Sequence, residues 1–403
     1  MRRSGGGRGA RFLLAPALLL VLVYTAATAV RVYARRYYIF LPDYVRGLVR
    51  STPDTARPTH IFFLFVDYFE PDWNVDRTRS WTDRYRDVAV RHLDSSGRPV
   101  QHTWFYPGEQ AEPRILGILR DTVHDGFGEV ELHYHHSYDD ATTLGWGLRY
   151  AIDQFQKFGF LKTVNGETRF AFAHGNSGLD NADGEYCGVN NELEVLRSFG
   201  CFADFTFPAL YHDAQPPVVN QIYAAKDDAG PKSYRTALPL ADLKRGRADI
   251  AIFEGPIAIG LSWSARRLFL EVDDGNIHAA IPVTPTRIRR WVNARVHVPE
   301  RPDWVFVKVF GHGVSSLEDD QEVLGPHFDA ALAELEQHYN DGRPYVLHYV
   351  TAREAYNLAM AAALGATGDP EAYYDAEIPP YVSSRPRLNL RVKCGQQPRC
   401  GPE

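Results

Sequence analysis

The sequence predicts an α/β fold on a parallel sheet or barrel, preceded by one N-terminal transmembrane helix. Three observations carry this expectation. After position 58, short apolar segments alternate with segments of helical spacing, the pattern of parallel strands covered by helices. Acids and histidines recur where those apolar segments stop. Ahead of them, Phe12–Val30 passes nineteen residues without a charge behind Arg2, Arg3, Arg8 and Arg11. A spanning helix needs about 20 such residues, and the basic flank favours a cytoplasmic start.

The elements follow in order. Ile61–Val66 is continuously apolar, as in a strand buried on both faces. "TDRYRDVAVRHL" has helical spacing, and "QHTWFYP" is strand-like and stops at a proline. "EPRILGILRDTVHDG" predicts a helix closing on glycine, and "EVELHYH" a strand. "TLGWGLRYAIDQFQKFGF" and "NNELEVLRSFG" read as helices, each followed by a strand, "TRFAFAHG" and "CFADFTFPA". Residues 211–300 are less regular and read as a rim. Regularity returns with the strand "DWVFVKVFGHG", the helix "PHFDAALAELEQHYN", the strand "YVLHYV" and the closing helix "TAREAYNLAMAAALG".

The implied plan is a basic cytoplasmic end at 1–11 and an anchor at 12–30. A membrane-proximal linker (31–57), a main domain (58–365) and a wrapping tail (366–403) follow. The alternative for 12–30 is a signal peptide cleaved near Ala27-Thr28-Ala29. Either reading puts the main domain in a periplasmic or extracellular space. Disulfides are permitted there, and proximity favours Cys187–Cys201 and Cys394–Cys400. The net charge of -6 argues against nucleic-acid binding through bulk charge.

Asp67 and Glu70 follow the first strand, and "ELHYHHSYDD" carries His133, His135 and His136. His174, Asn176 and Asp180 follow "FAFA", His312 follows "FVKVFG", and His348 lies in "YVLHYV". C-terminal strand ends are where reacting groups gather in parallel α/β folds. Two imidazoles and a carboxylate suit zinc and leave a position open for hydrolysis. Asp67, His133 and either His135 or His136 are therefore expected to hold one divalent transition metal, zinc above all. A continuing strand pairs His133 with His135, whereas a helical turn pairs it with His136. Glu70, His174 and His348 are acid–base candidates. Asn176, Asp180 and His312 are candidates for substrate contact. Aromatic residues near the strand ends lean towards a sugar.

At these residues the chain resembles the polysaccharide deacetylase superfamily, which has a NodB-like distorted (β/α) barrel. "FLFVDYFEP" stands where that family has paired aspartates; here Asp67 lies between Val66 and Tyr68, and Glu70 is available to replace the missing function. "EVELHYHHS" resembles the approach to the family's His-x-x-x-His. Ser137 stands at the second histidine's place, which favours His136 as the replacement. "FAFAHGNSGLDN" supplies His174 and Asn176 where arginine and proline are usual. "YVLHYVTAREAYNLA" is similar to the leucine-histidine strand end and would make His348 the acid that protonates the leaving group. "HGNSGLDNADGEYCGVNNEL" marks a separate branch. The resemblance spans residues 58–365. It implies metal-assisted removal of acetyl groups from an envelope or extracellular polysaccharide. Two other classes stand beside it. One is a glycoside hydrolase with carboxylates drawn from Asp67, Glu70, Asp180 and Glu185. The other is a catalytically inactive, membrane-anchored component of polysaccharide biosynthesis or export.

Overall fold

The structure is a computed structural model that describes residues 9–50, 57–264 and 267–382. Its regular elements begin with α1 (Gly9–Ala34), α2 (Leu41–Arg50), β1 (Thr59–Tyr68), α3 (Val75–Ala89), β2 (His102–Pro107), α4 (Pro113–His124) and β3 (Gly128–Tyr134). Next come α5 (Ala141–Gln156), β4 (Phe170–His174), α6 (Glu192–Ser198), β5 (Cys201–Asp204), β6 (Gln221–Ala225), β7 (Ile250–Glu254), β8 (Ala258–Ser264) and β9 (Arg267–Asp273). The last are α7 (Pro285–Ala294), β10 (Trp304–Gly311), α8 (Leu317–Val323), α9 (Pro326–Tyr339), β11 (Tyr345–Tyr349) and α10 (Ala352–Ala363).

Nine strands form one sheet in the order β10-β1-β2-β3-β4-β5-β7-β6, with β11 also paired to β1. Only β6 runs antiparallel within it. β1 is long enough to serve three neighbours. β10 runs along one side of it from His60 to Asp67. On the other side β11 pairs with Thr59–Phe63 and β2 with Phe65–Tyr68.

The pleat of β1 divides the core. Ile61, Phe63 and Phe65 pack outward among Trp81, Leu116, Leu148 and Phe328, under the helices. Phe62, Leu64 and Val66 pack inward among Phe205, Phe253, Phe306 and the alanines of α10. Every residue of α10 is buried, which its run of small side chains permits. A Thr351–Glu354 capping box starts α10. Glu354 also takes Arg98 in a two-pronged ion pair at 2.7 and 2.8 Å, tying the closing helix to the turn before β2.

Several expectations are corrected. The distorted (β/α) barrel behind a transmembrane helix is replaced by a mixed α/β fold with a large sheet. Among the described residues its outer strands β6 and β10 do not pair with each other, and isolated bridges at Gln221–His297 and Val296–Phe306 join them through residues 296–297. The reason lies in residues 205–250, which do not supply another βα unit but return the chain as antiparallel β6. Helix α1 covers the charge-free run. Among the described residues no helix is long and apolar enough to cross a membrane. The membrane anchor, and the periplasmic or extracellular placement that rested on it, are therefore withdrawn.

Cys187 and Cys201 are both free and buried, so that disulfide does not form. Cys187 Sγ instead lies 3.2 Å from Glu192 Oε2, and Cys201 Sγ faces Ala203 O at 3.5 Å. Cys394, Cys400 and tail residues 383–403 lie outside the described residues.

One contact gives a pH test of the fold. His92, after α3, bridges Asp329 Oδ1 and Glu336 Oε1 of α9, each at 3.1 Å. Burial lowers its pKa, but the two carboxylates outweigh burial and raise it overall. A raised folded-state pKa adds stability that is complete below the ordinary histidine value of about 6.5 and is lost as pH climbs through the raised value. The gap in urea stability between wild type and His92→Asn is therefore expected to be larger at about pH 6 than at about pH 9. An equal gap at both would refute the assignment.

Candidate metal centres

The C-terminal edge of the sheet holds two separate clusters, and strand alternation decides which side chains enter each. On β3, His133 follows Glu129 and Glu131 onto the inner face, while Val130 and Leu132 face the outer core. On β4, Ala171 and Ala173 face inward, and His174 points outward with Phe170 and Phe172. Two neighbouring strands thus send histidines to opposite faces.

The first cluster is open to solvent. His133 Nε2 and His135 Nε2 each lie 3.2 Å from the same oxygen, Glu70 Oε1. Glu70 and His135 are 25% and 32% exposed, whereas His133 is 3% exposed. Each ring is oriented from behind. His133 Nδ1–H donates to Ala173 O at 2.7 Å, and His135 Nδ1 meets Glu109 Oε1 at 2.7 Å. With both Nδ1 atoms engaged, both Nε2 atoms face one carboxylate oxygen; without an ion they meet it as N–H donors, and a cation can take the place of those protons. Tyr68 stacks on His133 at 5.5 Å and meets His312 edge-on at 5.3 Å. Its hydroxyl donates to Phe205 O at 3.0 Å. Burial would raise the Glu70 carboxyl, but hydrogen bonds from His133 and His135 hold it well below the usual range. Burial would lower His135, yet Glu109 and Glu70 push it up to about 9.

The second cluster is closed. His136, His174, Cys187 and Glu192 are all buried, and together they can coordinate a metal ion. His136 Nε2 and His174 Nε2 are 2.8 Å apart, and Glu192 Oε1 lies 3.1 and 3.4 Å from them. Burial holds His174 down to about 4, so its imidazole is neutral near pH 7. Its Nδ1–H donates to Gly175 O at 2.6 Å, which leaves Nε2 as the free acceptor. Gly175 also makes room for the open cluster: a Cβ there would lie 2.1 Å from His135 Cδ2.

The expected triad of Asp67, His133 and His136 is not assembled. Asp67 shares the parity of Phe63 and Phe65 and points outward, away from His133. There it is 0% exposed, accepts Gly313 N–H at 2.6 Å and meets His102 Nε2 at 3.0 Å. His136 joins the closed cluster, so His133 partners His135 and Glu70. His348 pairs with Phe62 across β11 and β1, six residues from Tyr68 and so about 20 Å down the strand. Buried there between His60 Nδ1 at 2.9 Å and Tyr374 OH at 3.0 Å, it cannot protonate a leaving group at the other edge. Asp180 is also buried, and it holds Ser233 N–H at 2.5 Å. Asn176 is exposed beside His174, and His312 borders the open cluster. Glu109, Cys187 and Glu192 were not anticipated as site residues. A shared parity of His133 and His135 was the available sign for the first cluster; nothing in the spacing of Cys187 and Glu192 marked them as ligands.

Asp67 and the open cluster can be separated experimentally. Asp67→Ala orphans two buried donors and is expected to cost about 2–4 kcal/mol in urea unfolding, while metal content stays at the wild-type level. Loss of metal from a folded Asp67→Ala protein would return Asp67 to the ligand set.

In sequence, the chain matches no protein-family model and no curated protein.

Proposed function

We propose that this protein is a metal-dependent hydrolase whose reaction centre is Glu70, His133 and His135. One observation carries the reading. Two imidazole Nε2 atoms converge on one carboxylate oxygen at a solvent-open strand end, with both Nδ1 atoms already committed behind them. Two histidines and a glutamate with an open side are a donor set that suits zinc in hydrolytic sites. A divalent ion held there would polarise an acyl carbonyl and acidify a water.

The surrounding chain supplies the rest. Tyr68 walls the centre and fixes the plane of His133 by stacking. His312, beside Tyr68, is the proposed proton donor to the leaving group, the role the resemblance would give to His348. The proposed substrate is an acylated carbohydrate, and this part rests on the resemblance to polysaccharide deacetylases. Glu70 takes the carboxylate place that the resemblance gave to Asp67.

The test is release of acetate from acetylated sugars by protein loaded with zinc or manganese. His133→Ala and Glu70→Ala are expected to abolish it, and His348→Gln to spare it. Glu109→Gln removes only the group behind His135 and is expected to weaken metal binding at this centre by about 10–100-fold, read by competition with a chelating dye. Absence of metal-dependent cleavage across a panel of acyl esters and amides would sink the reading.

A further inference from the structure

We infer that His136, His174, Cys187 and Glu192 form a second, independent metal centre: a closed structural site with a thiolate ligand, suited to zinc. This goes beyond the hydrolytic reading and does not depend on it.

Geometry gives the first argument. A tetrahedral zinc ion with bonds of about 2.0–2.1 Å to nitrogen and oxygen has ligand–ligand edges of about 3.3 Å. The three nitrogen and oxygen atoms here are separated by 2.8, 3.1 and 3.4 Å. Without an ion, a proton on His136 Nε2 must be divided between His174 Nε2 and Glu192 Oε1, whereas one ion can bind all three atoms directly. Glu192 is divided to match. Its Oε2 accepts Asp180 N–H at 2.5 Å, which leaves Oε1 facing the two imidazoles.

The sulfur gives a second, independent argument. Cys187 Sγ accepts backbone N–H groups from Asn181 at 3.2 Å and Val189 at 3.3 Å. Without an ion the thiol donates to Glu192 Oε2 at 3.2 Å, and burial pushes its pKa up; the two backbone donors would support the thiolate that forms when an ion displaces that proton. Charge balance agrees. Zinc with one thiolate, one carboxylate and two neutral imidazoles sums to zero, the one total that full burial tolerates cheaply. The soft thiolate selects zinc over magnesium or calcium, and the absence of solvent access marks a structural centre.

The ligands come from four places: the turn after β3, the end of β4, the following loop and the start of α6. The centre therefore staples the loop between His174 and Glu192 to the sheet edge. It also fixes His136, the direct neighbour of His135, without entering the reaction centre.

Zinc-loaded wild type is expected to carry two ions per chain by mass spectrometry. Cys187→Ser is expected to keep one, His133→Ala to keep the other, and the double variant to keep none. Cobalt-loaded wild type is expected to show a thiolate-to-cobalt charge-transfer band that persists in His133→Ala. A wild type that carries a single ion, lost in His133→Ala but kept in Cys187→Ser, overturns this inference and spares the proposed function. The reverse pattern spares the inference and overturns the function. Should Cys187→Ser fail to fold, the cobalt spectrum of wild type decides: absence of the band overturns the thiolate centre.

Discussion

Alternation along β3 and β4 is the constraint on which the rest of the site depends. Adjacent side chains on a strand must point to opposite faces, and the β3–β4 register sets His133 beside Ala173 and Tyr134 beside His174. His133 therefore enters the inner face and His174 the outer one. The chain needs only one more residue beyond His135 to place His136 with His174. A single histidine-rich run thus feeds two chemically different environments, one open and acidic, the other closed and containing sulfur.

The inner face is built from charges that the surrounding elements hold in place. Lys308 on β10 donates to Phe205 O at 3.2 Å and Phe253 O at 3.0 Å, and also to Phe207 O. Burial draws its pKa down to about 8. Asp204, raised to about 7 mainly by burial, accepts both the N–H and the hydroxyl of Thr206. Below them Arg353 joins Glu129 at 2.8 Å, and Tyr381 donates to Glu131 at 3.0 Å. These contacts connect β3, β5, β10 and α10 through polar groups that are already satisfied. The histidines above them thereby stand on a rigid floor.

Much of the strand and helix order was legible, because apolar runs and helical spacing report local geometry. Ile61–Val66 and the closing helix after "YVLHYV" read directly. The edge chemistry was legible only in part. The His133–His135 pairing needed no more than strand parity, and the preference for His136 overrode it. The same parity separates Asp67 from His133, since Asp67 continues the outward series of Phe63 and Phe65. His348 illustrates another limit: β11 and β2 share one side of β1, and sequence order does not say which half each occupies. Cys187 and Glu192 were hidden because a loop carries them, and loops have no periodicity to read.

The spacing of these contacts along the chain also bears on assembly during synthesis. His136 and Glu192 are 56 positions apart, and the other two members of the closed cluster lie between them. Asp67 and Gly313, which together anchor the segment leading to Glu70, are 246 positions apart. Closing the longer loop costs more chain entropy and must wait for β10 to be made. The closed cluster can therefore gather on a nascent chain whose open cluster still lacks its support, and the sulfur-containing corner becomes a foundation laid before the solvent-open corner is completed.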